Sequence, residues 1–322
     1  MSPSTASRLR YLPVSLFASV MGIGGLSLAW RRAARVLGAP PWPGQVLAWV
    51  ALVLFVVLLS AYALKWVRHR DAVLEEWRHP IKMAFVPTIT IALLIVSTAM
   101  QDLFPSVARL GWWVGAVGHL VLTITTLSAW FRRGDIVAGH ITPAWFIPVV
   151  GNVVTPLAAP TLGSVEFGWF AFGVGITFWV TLLPLLVQRV ITHEQPLPPK
   201  LLPTLAIFAA PPAVAMLSWQ SLTGDLDGAF PRVLYAAMLG FVVLVLAQWR
   251  SLKDVPFAMP SWAYTFPSAA AAAAALAVAG ARPSVVHTSI AVVLMALASV
   301  VVTLVAALTA RAGVRGEIFV PD

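Results

Sequence analysis

The stretch SWAYTFPSAAAAAAALAV, Ser261–Val278, sets one bulky ring, Phe266, directly before a proline and follows it with seven alanines, Ala269 to Ala275. It lies within the uncharged run Phe257–Ala279. Crossing the hydrocarbon layer of a bilayer takes about 20 mostly apolar residues in a helix, so this run reads as a spanning segment. Proline in a helix removes a backbone donor and bends it, and alanine lets neighbouring helices approach closely. A ring at such a bend either projects into a lumen or packs between helices, and the residues alone leave both readings open.

The rest of the chain has the same character. Of its 322 residues 60% are hydrophobic and only 10% charged, with a mean hydropathy of +0.88, far from the balance of soluble domains. Ten segments are apolar and long enough to span: Leu12–Trp30, Gln45–Val67, Lys82–Met100, Trp112–Trp130, Pro143–Pro160, Glu166–Val187, Pro203–Gln220, Arg232–Trp249, Phe257–Ala279 and Ser284–Thr309. None alternates with a strand period, so the expected fold is an all-α polytopic bundle in one transmembrane domain over residues 1–322. The first run follows Arg8 and Arg10 but is read as a spanning helix, not a cleaved signal.

Charge gives an orientation. With the N-terminus inside, 15 of the 21 Lys and Arg fall on the cytoplasmic side and six, Arg31, Arg32, Arg35, Arg109, Arg232 and Arg282, on the other. The positive-inside rule then places both termini in the cytoplasm. The net charge of +9 is accounted for by topology and lipid headgroups, and no nucleic-acid partner is expected.

A repeat runs through the segments. The odd-numbered ones carry proline at or inside their borders, among them Pro13, Pro87, Pro148, Pro211 and Pro267, whereas the even-numbered ones have little beyond Pro184. Phenylalanine recurs with them at Phe17, Phe85, Phe146, Phe208 and Phe266, spaced by 68, 61, 62 and 58 residues. A two-helix unit of some sixty residues repeated five times produces this pattern. Five inner helices inside five outer ones would surround an axis, which is a place for a pore.

Several stretches, taken together, resemble a known family. WAYTFP at Trp262–Pro267 is similar to the pore-helix motif of the family that joins the TehA tellurite-resistance proteins, the plant guard-cell slow anion channels and the yeast dicarboxylate and sulfite transporters. LPVSLFASVMGIGGLSLAW from Leu12, EEWRHPIKMAFVP from Glu75, TPAWFIPVVGN from Thr142 and AAPPAVAM from Ala209 agree in the same order. The resemblance implies five helical hairpins in quasi-five-fold arrangement, a central pore lined by the odd helices with the four other repeat phenylalanines on it, a homotrimer, and Phe266 as the occluding gate. Tyr264, Thr265 and Pro267 match the plant form of the motif, where the bacterial form has glycine at the proline. That departure leaves subfamily and ion preference open.

The chemistry absent from the segments narrows the function. There is no cysteine, which excludes disulfides, thiolate nucleophiles and Cys-based metal centres. All twelve carboxylates fall in loops or at segment ends, which weighs against a proton-coupled carrier and against the acidic rings of cation channels. His119 and His287 lie within segments, but neither has a second ligand at helical spacing, so interhelical hydrogen bonding is expected of both and no metal or cofactor. No enzymatic motif is present.

Lys65, Arg68, Arg70, Arg78 and Lys82 gather at the cytoplasmic mouth, partly offset by Asp71, Glu75 and Glu76. Their excess would concentrate anions, and Lys82, at the edge of a pore helix, is the candidate for direct contact unless it is a topology anchor. The expected function is an inner-membrane channel for small monovalent anions that favours readily dehydrated ones. The alternative is a dicarboxylate, sulfite or tellurite carrier.

Overall fold

A computed structural model describes residues 5–192 and 196–319. Among them the secondary structure is entirely helical, and ten helical segments are long and apolar enough to span a membrane. In order these are Val14–Leu37, Trp42–Arg68, Lys82–Met100, Pro105–Arg132, Pro143–Leu162, Val165–Thr192, Pro199–Thr223, Ala229–Ala247, Met259–Ala281 and Val285–Val314. The protein is multi-pass and all-α.

The segments fall into two classes that alternate. In the odd-numbered ones 72% to 83% of the apolar window is buried, against 22% to 33% in the even-numbered ones. Each odd segment packs on the even one that follows it. The odd segments also touch one another in a closed order: first to third, third to fifth, fifth to seventh, seventh to ninth, and ninth back to first. The even segments present Val57, Val107, Val180, Val243 and Val286 outward, as a lipid-facing surface does, because hydrocarbon is no worse a neighbour for valine than another valine.

Every odd segment contains a 3-10 stretch leading into α-helix, and the repeated phenylalanine stands at or beside the switch. Val14–Leu16 leads into Phe17–Leu37 and Lys82–Phe85 leads, through Pro87, into Thr88–Met100. Pro143–Trp145 leads into Phe146–Val150, Pro199–Ala209 into Ala210–Thr223, and Met259–Tyr264 into Thr265–Ala281. The prolines expected to kink the inner segments stand at or near these switches. Pro148, Pro211 and Pro267 sit in the first turn of an α stretch and Pro13 and Pro87 just before a helical start. Hydroxyls serve the tightened turns: Thr88 donates to the Phe85 carbonyl at 2.6 Å and Thr265 to that of Trp262 at 2.7 Å, and Ser19 and Thr204 do the same to Leu16 and Leu201.

The first segment runs past Trp30 to Leu37 and ends at Gly38, whose φ of 68° is the left-handed cap that stops helices. Hydropathy ends the segment at its first charges, but Arg31, Arg32 and Arg35 are helical and continue one of its faces.

Candidate functional site

Two cavities lie on the inside of the odd segments. The smaller, ≈ 50 Å³, is bordered by residues near the starts of all five: Ser15, Phe85, Ile147, Ile207 and Met259, with Phe266. The larger, ≈ 200 Å³, is bordered farther along the same five by Gly25, Thr98, Leu157, Val214 and Ala273, again with Phe266. Phe266 borders both. The smaller cavity is nearly all apolar, and a space so lined disfavours water.

The ring of Phe266 is held by its neighbours' lack of side chain. A Cβ on Gly25 would lie 3.1 Å from the ring, and one on Gly22 would overlap the Thr265 hydroxyl. Gly24 meets Ile95 of the third segment in the same way, 2.7 Å from its Cγ2. Three near-consecutive glycines thus serve three neighbours. The spacing Gly22, Gly24, Gly25 was visible in the sequence, but nothing there says which of them seats a ring.

The alanine run divides between two tasks. Ala269, Ala270 and Ala273 border the larger cavity on the face that also carries Phe266. Ala271, Ala272, Ala274 and Ala275 are buried at 1% exposure or less, on a helix packed against the first, seventh and tenth segments. A cavity-lining face and a tightly packed face are thus both present on this run.

Of the other repeat phenylalanines, Phe85 borders the smaller cavity and the remaining three border neither. Phe17 makes edge contacts with Phe55 and Tyr62 of the second segment, and Phe208 meets Phe146 edge-on and stacks on Phe241 of the eighth. Phe17 and Phe208 thus have aromatic partners on outer helices, and Phe146 has Phe208 on a neighbouring inner one.

The chain now shows two marks together: a closed order of five buried segments, and a single ring bordering the cavities on both sides of it. A family model for voltage-dependent anion channels matches residues 11–310. The chain belongs to that family. It is 28% identical over 301 residues to the S-type anion channel SLAH3 of Arabidopsis thaliana, covering 91% of this chain and 47% of that one. To the tellurite resistance protein TehA homologue of Haemophilus influenzae it is 26% identical over 259 residues, 79% of this chain and 77% of that one. An uncharacterized transporter of Methanocaldococcus jannaschii is 26% identical over 287 residues, 81% and 83% of the two chains. The chain thus spans about half the length of the plant relative and most of the two microbial ones.

The charged residues of this family member are arranged otherwise than loop counting suggests. Lys65 is buried, ion-paired with Glu76 at 2.9 Å and bonded to the Leu12 carbonyl at 2.8 Å, while Tyr62 donates to the other oxygen of Glu76 at 2.8 Å. Glu76 stands on a short helix, Arg70–Arg78, that folds back on the segment ends. Loop placement therefore did not mean exposure for this carboxylate. Arg10 pairs with Asp71, and Arg133 pairs with Asp135 and donates to the Arg78 carbonyl. Of the five cations gathered at that end of the bundle Lys65 is thus neutralised, and Lys82 borders neither cavity. The cations on a cavity are instead Arg31, Arg32 and Arg35.

His119 is fully buried with Nδ1 2.9 Å from the Thr90 hydroxyl, and its backbone carbonyl accepts from Thr123. His287 lies at the start of the tenth segment, where its Nδ1 is 2.9 Å from the Arg282 carbonyl and its N–H donates to the Ser284 cap. His119 thus makes the interhelical hydrogen bond expected of it, whereas the bonds of His287 stay within the turn that caps its own helix.

Proposed function

We propose that the protein is a bacterial inner-membrane channel that passes small monovalent anions along the axis of its five inner segments, with the ring of Phe266 as the closed gate. The observation that carries this reading is the pair of cavities, each bordered by all five inner segments and both by Phe266. An apolar ring at a narrow point excludes water, and an ion that cannot keep its water does not pass. The opening motion is a displacement of one side chain seated on glycine, which requires no rearrangement of helices. The names of the plant relatives, anion channels, agree with it. On the 15-to-6 division of cations both termini are cytoplasmic, and the exposed outer faces leave room for a homotrimer with one pathway in each subunit.

Among the described residues no Lys or Arg borders the smaller cavity. Selection at the constriction then depends on dehydration, which favours nitrate and iodide over chloride. Reversal potentials of a Phe266→Ala channel under bi-ionic conditions test this: shifts in that order support it, and equal potentials for all three anions contradict it.

A carrier is the second reading, favoured by relatives named as a transporter and as a tellurite-resistance homologue. Saturable exchange of labelled dicarboxylate, sulfite or tellurite by the wild-type protein in liposomes, without conductance in any variant, would establish it.

A further inference from the structure

One face of the first segment runs through both the gate's seat and the larger cavity. Gly25, Leu28, Arg31, Arg32 and Arg35 follow at helical spacing and all border that cavity. At a rise of about 1.5 Å per residue, Arg32 stands roughly 10 Å beyond Gly25 along the helix and Arg35 roughly 15 Å.

The three arginines are not equivalent. Arg31 is compensated, pairing with Asp102 and donating to the Ala99 carbonyl at 2.8 Å. Arg32 donates through Nη1 to Gln220 Oε1 at 2.8 Å, a tether from the seventh segment that holds its guanidinium on the cavity. Among the described residues no carboxylate pairs with Arg32 or Arg35. A guanidinium has five N–H donors, and one of those on Arg32 is used. Gln101, also on the cavity, accepts from Thr161 through its Oε1 at 2.7 Å, which leaves its amide N–H groups to donate.

Two like charges one turn apart on a helix repel each other. Both also stand on the side of the membrane that the positive-inside rule depletes of arginine. An anion between them offsets the repulsion. Guanidinium forks match two oxygens of one ligand better than a spherical ion. A cavity of ≈ 200 Å³ holds an anion of a few heavy atoms together with water.

We infer that Arg32 and Arg35, with Gln101, form a binding site for a small oxygen-bearing anion, a monocarboxylate or nitrate, which loads the pathway from the side opposite the Lys65–Glu76 pair. The site rests on the proposed anion pathway for its use but not for its detection.

Thermal unfolding of the purified wild type in detergent, titrated with sodium acetate and in parallel with sodium chloride, reads binding without any current. Acetate is expected to raise Tm with a saturating dependence that chloride lacks. The Arg32→Gln/Arg35→Gln variant is expected to move half-saturation up at least tenfold, and Arg32→Lys, which keeps the charge and loses the fork, to fall between. Arg35→Gln alone, at an exposed position, gives a smaller shift in the same direction and serves if the double variant does not fold. Chloride acting as well as acetate on the wild type, or unchanged half-saturation in the Arg32→Lys and Arg35→Gln variants, overturns the site. If Phe266→Ala carries no current while these shifts are seen, the gate reading fails and the site stands.

Discussion

The Phe266 ring rests on Gly25: a Cβ placed on that glycine would lie 3.1 Å from ring carbon Cδ2 and 3.4 Å from the Ala269 Cβ. A methyl there is tighter than ordinary contact and pushes the ring from its seat. Gly25→Ala is therefore expected to leak. Anion flux from proteoliposomes should exceed the wild-type rate and stay below that of Phe266→Ala, and flux equal to wild type would show that the glycine does not seat the gate.

The two faces of the alanine run separate stability from conduction. Ala273 borders the larger cavity whereas Ala272 is fully buried against neighbouring helices. Overpacking a filled interior costs about 1–3 kcal/mol. Ala272→Leu should accordingly lower Tm in detergent with the pathway unchanged. Ala273→Leu should fold normally and, in a Phe266→Ala background, reduce conductance. The opposite pairing of effects would reverse the assignment of the faces.

The buried pair of Lys65 and Glu76 joins the second segment to the helix Arg70–Arg78 and, through the Leu12 carbonyl, to the entry of the first. Removing one partner strands a buried charge, at a cost of about 3–5 kcal/mol. Lys65→Met and Glu76→Gln should each unfold at markedly lower temperature. Lys65→Met/Glu76→Gln together should recover part of that loss, as a double-mutant cycle on the three variants would measure.

Much of the architecture was legible because membrane physics leaves few choices. Length and hydropathy located all ten spans, and the alternation of proline separated the buried segments from the exposed ones before any contact was known. The expected positions of Phe17, Phe146 and Phe208 were less well founded. A sequence repeat fixes a residue's place along a segment but not the direction of its side chain, and these rings turn toward aromatic partners on neighbouring helices. Charges misled for a related reason. Loop counting treats Lys65 as exposed although Glu76 neutralises it. Hydropathy ends the first segment at Trp30 although the helix continues to Leu37. The spacing of Gly25, Leu28, Arg32 and Arg35 on one helical face was the available signal for the cavity arginines, and it is readable only once the segment is known to extend that far.

The most direct test of the gate is the current carried by reconstituted wild type and Phe266→Ala in planar bilayers under a chloride gradient. A near-silent wild type beside a large current in the variant that reverses near the chloride potential is the predicted result. Two equally silent proteins of native stability would mean that Phe266 is a packing residue and that no anion pathway runs past it.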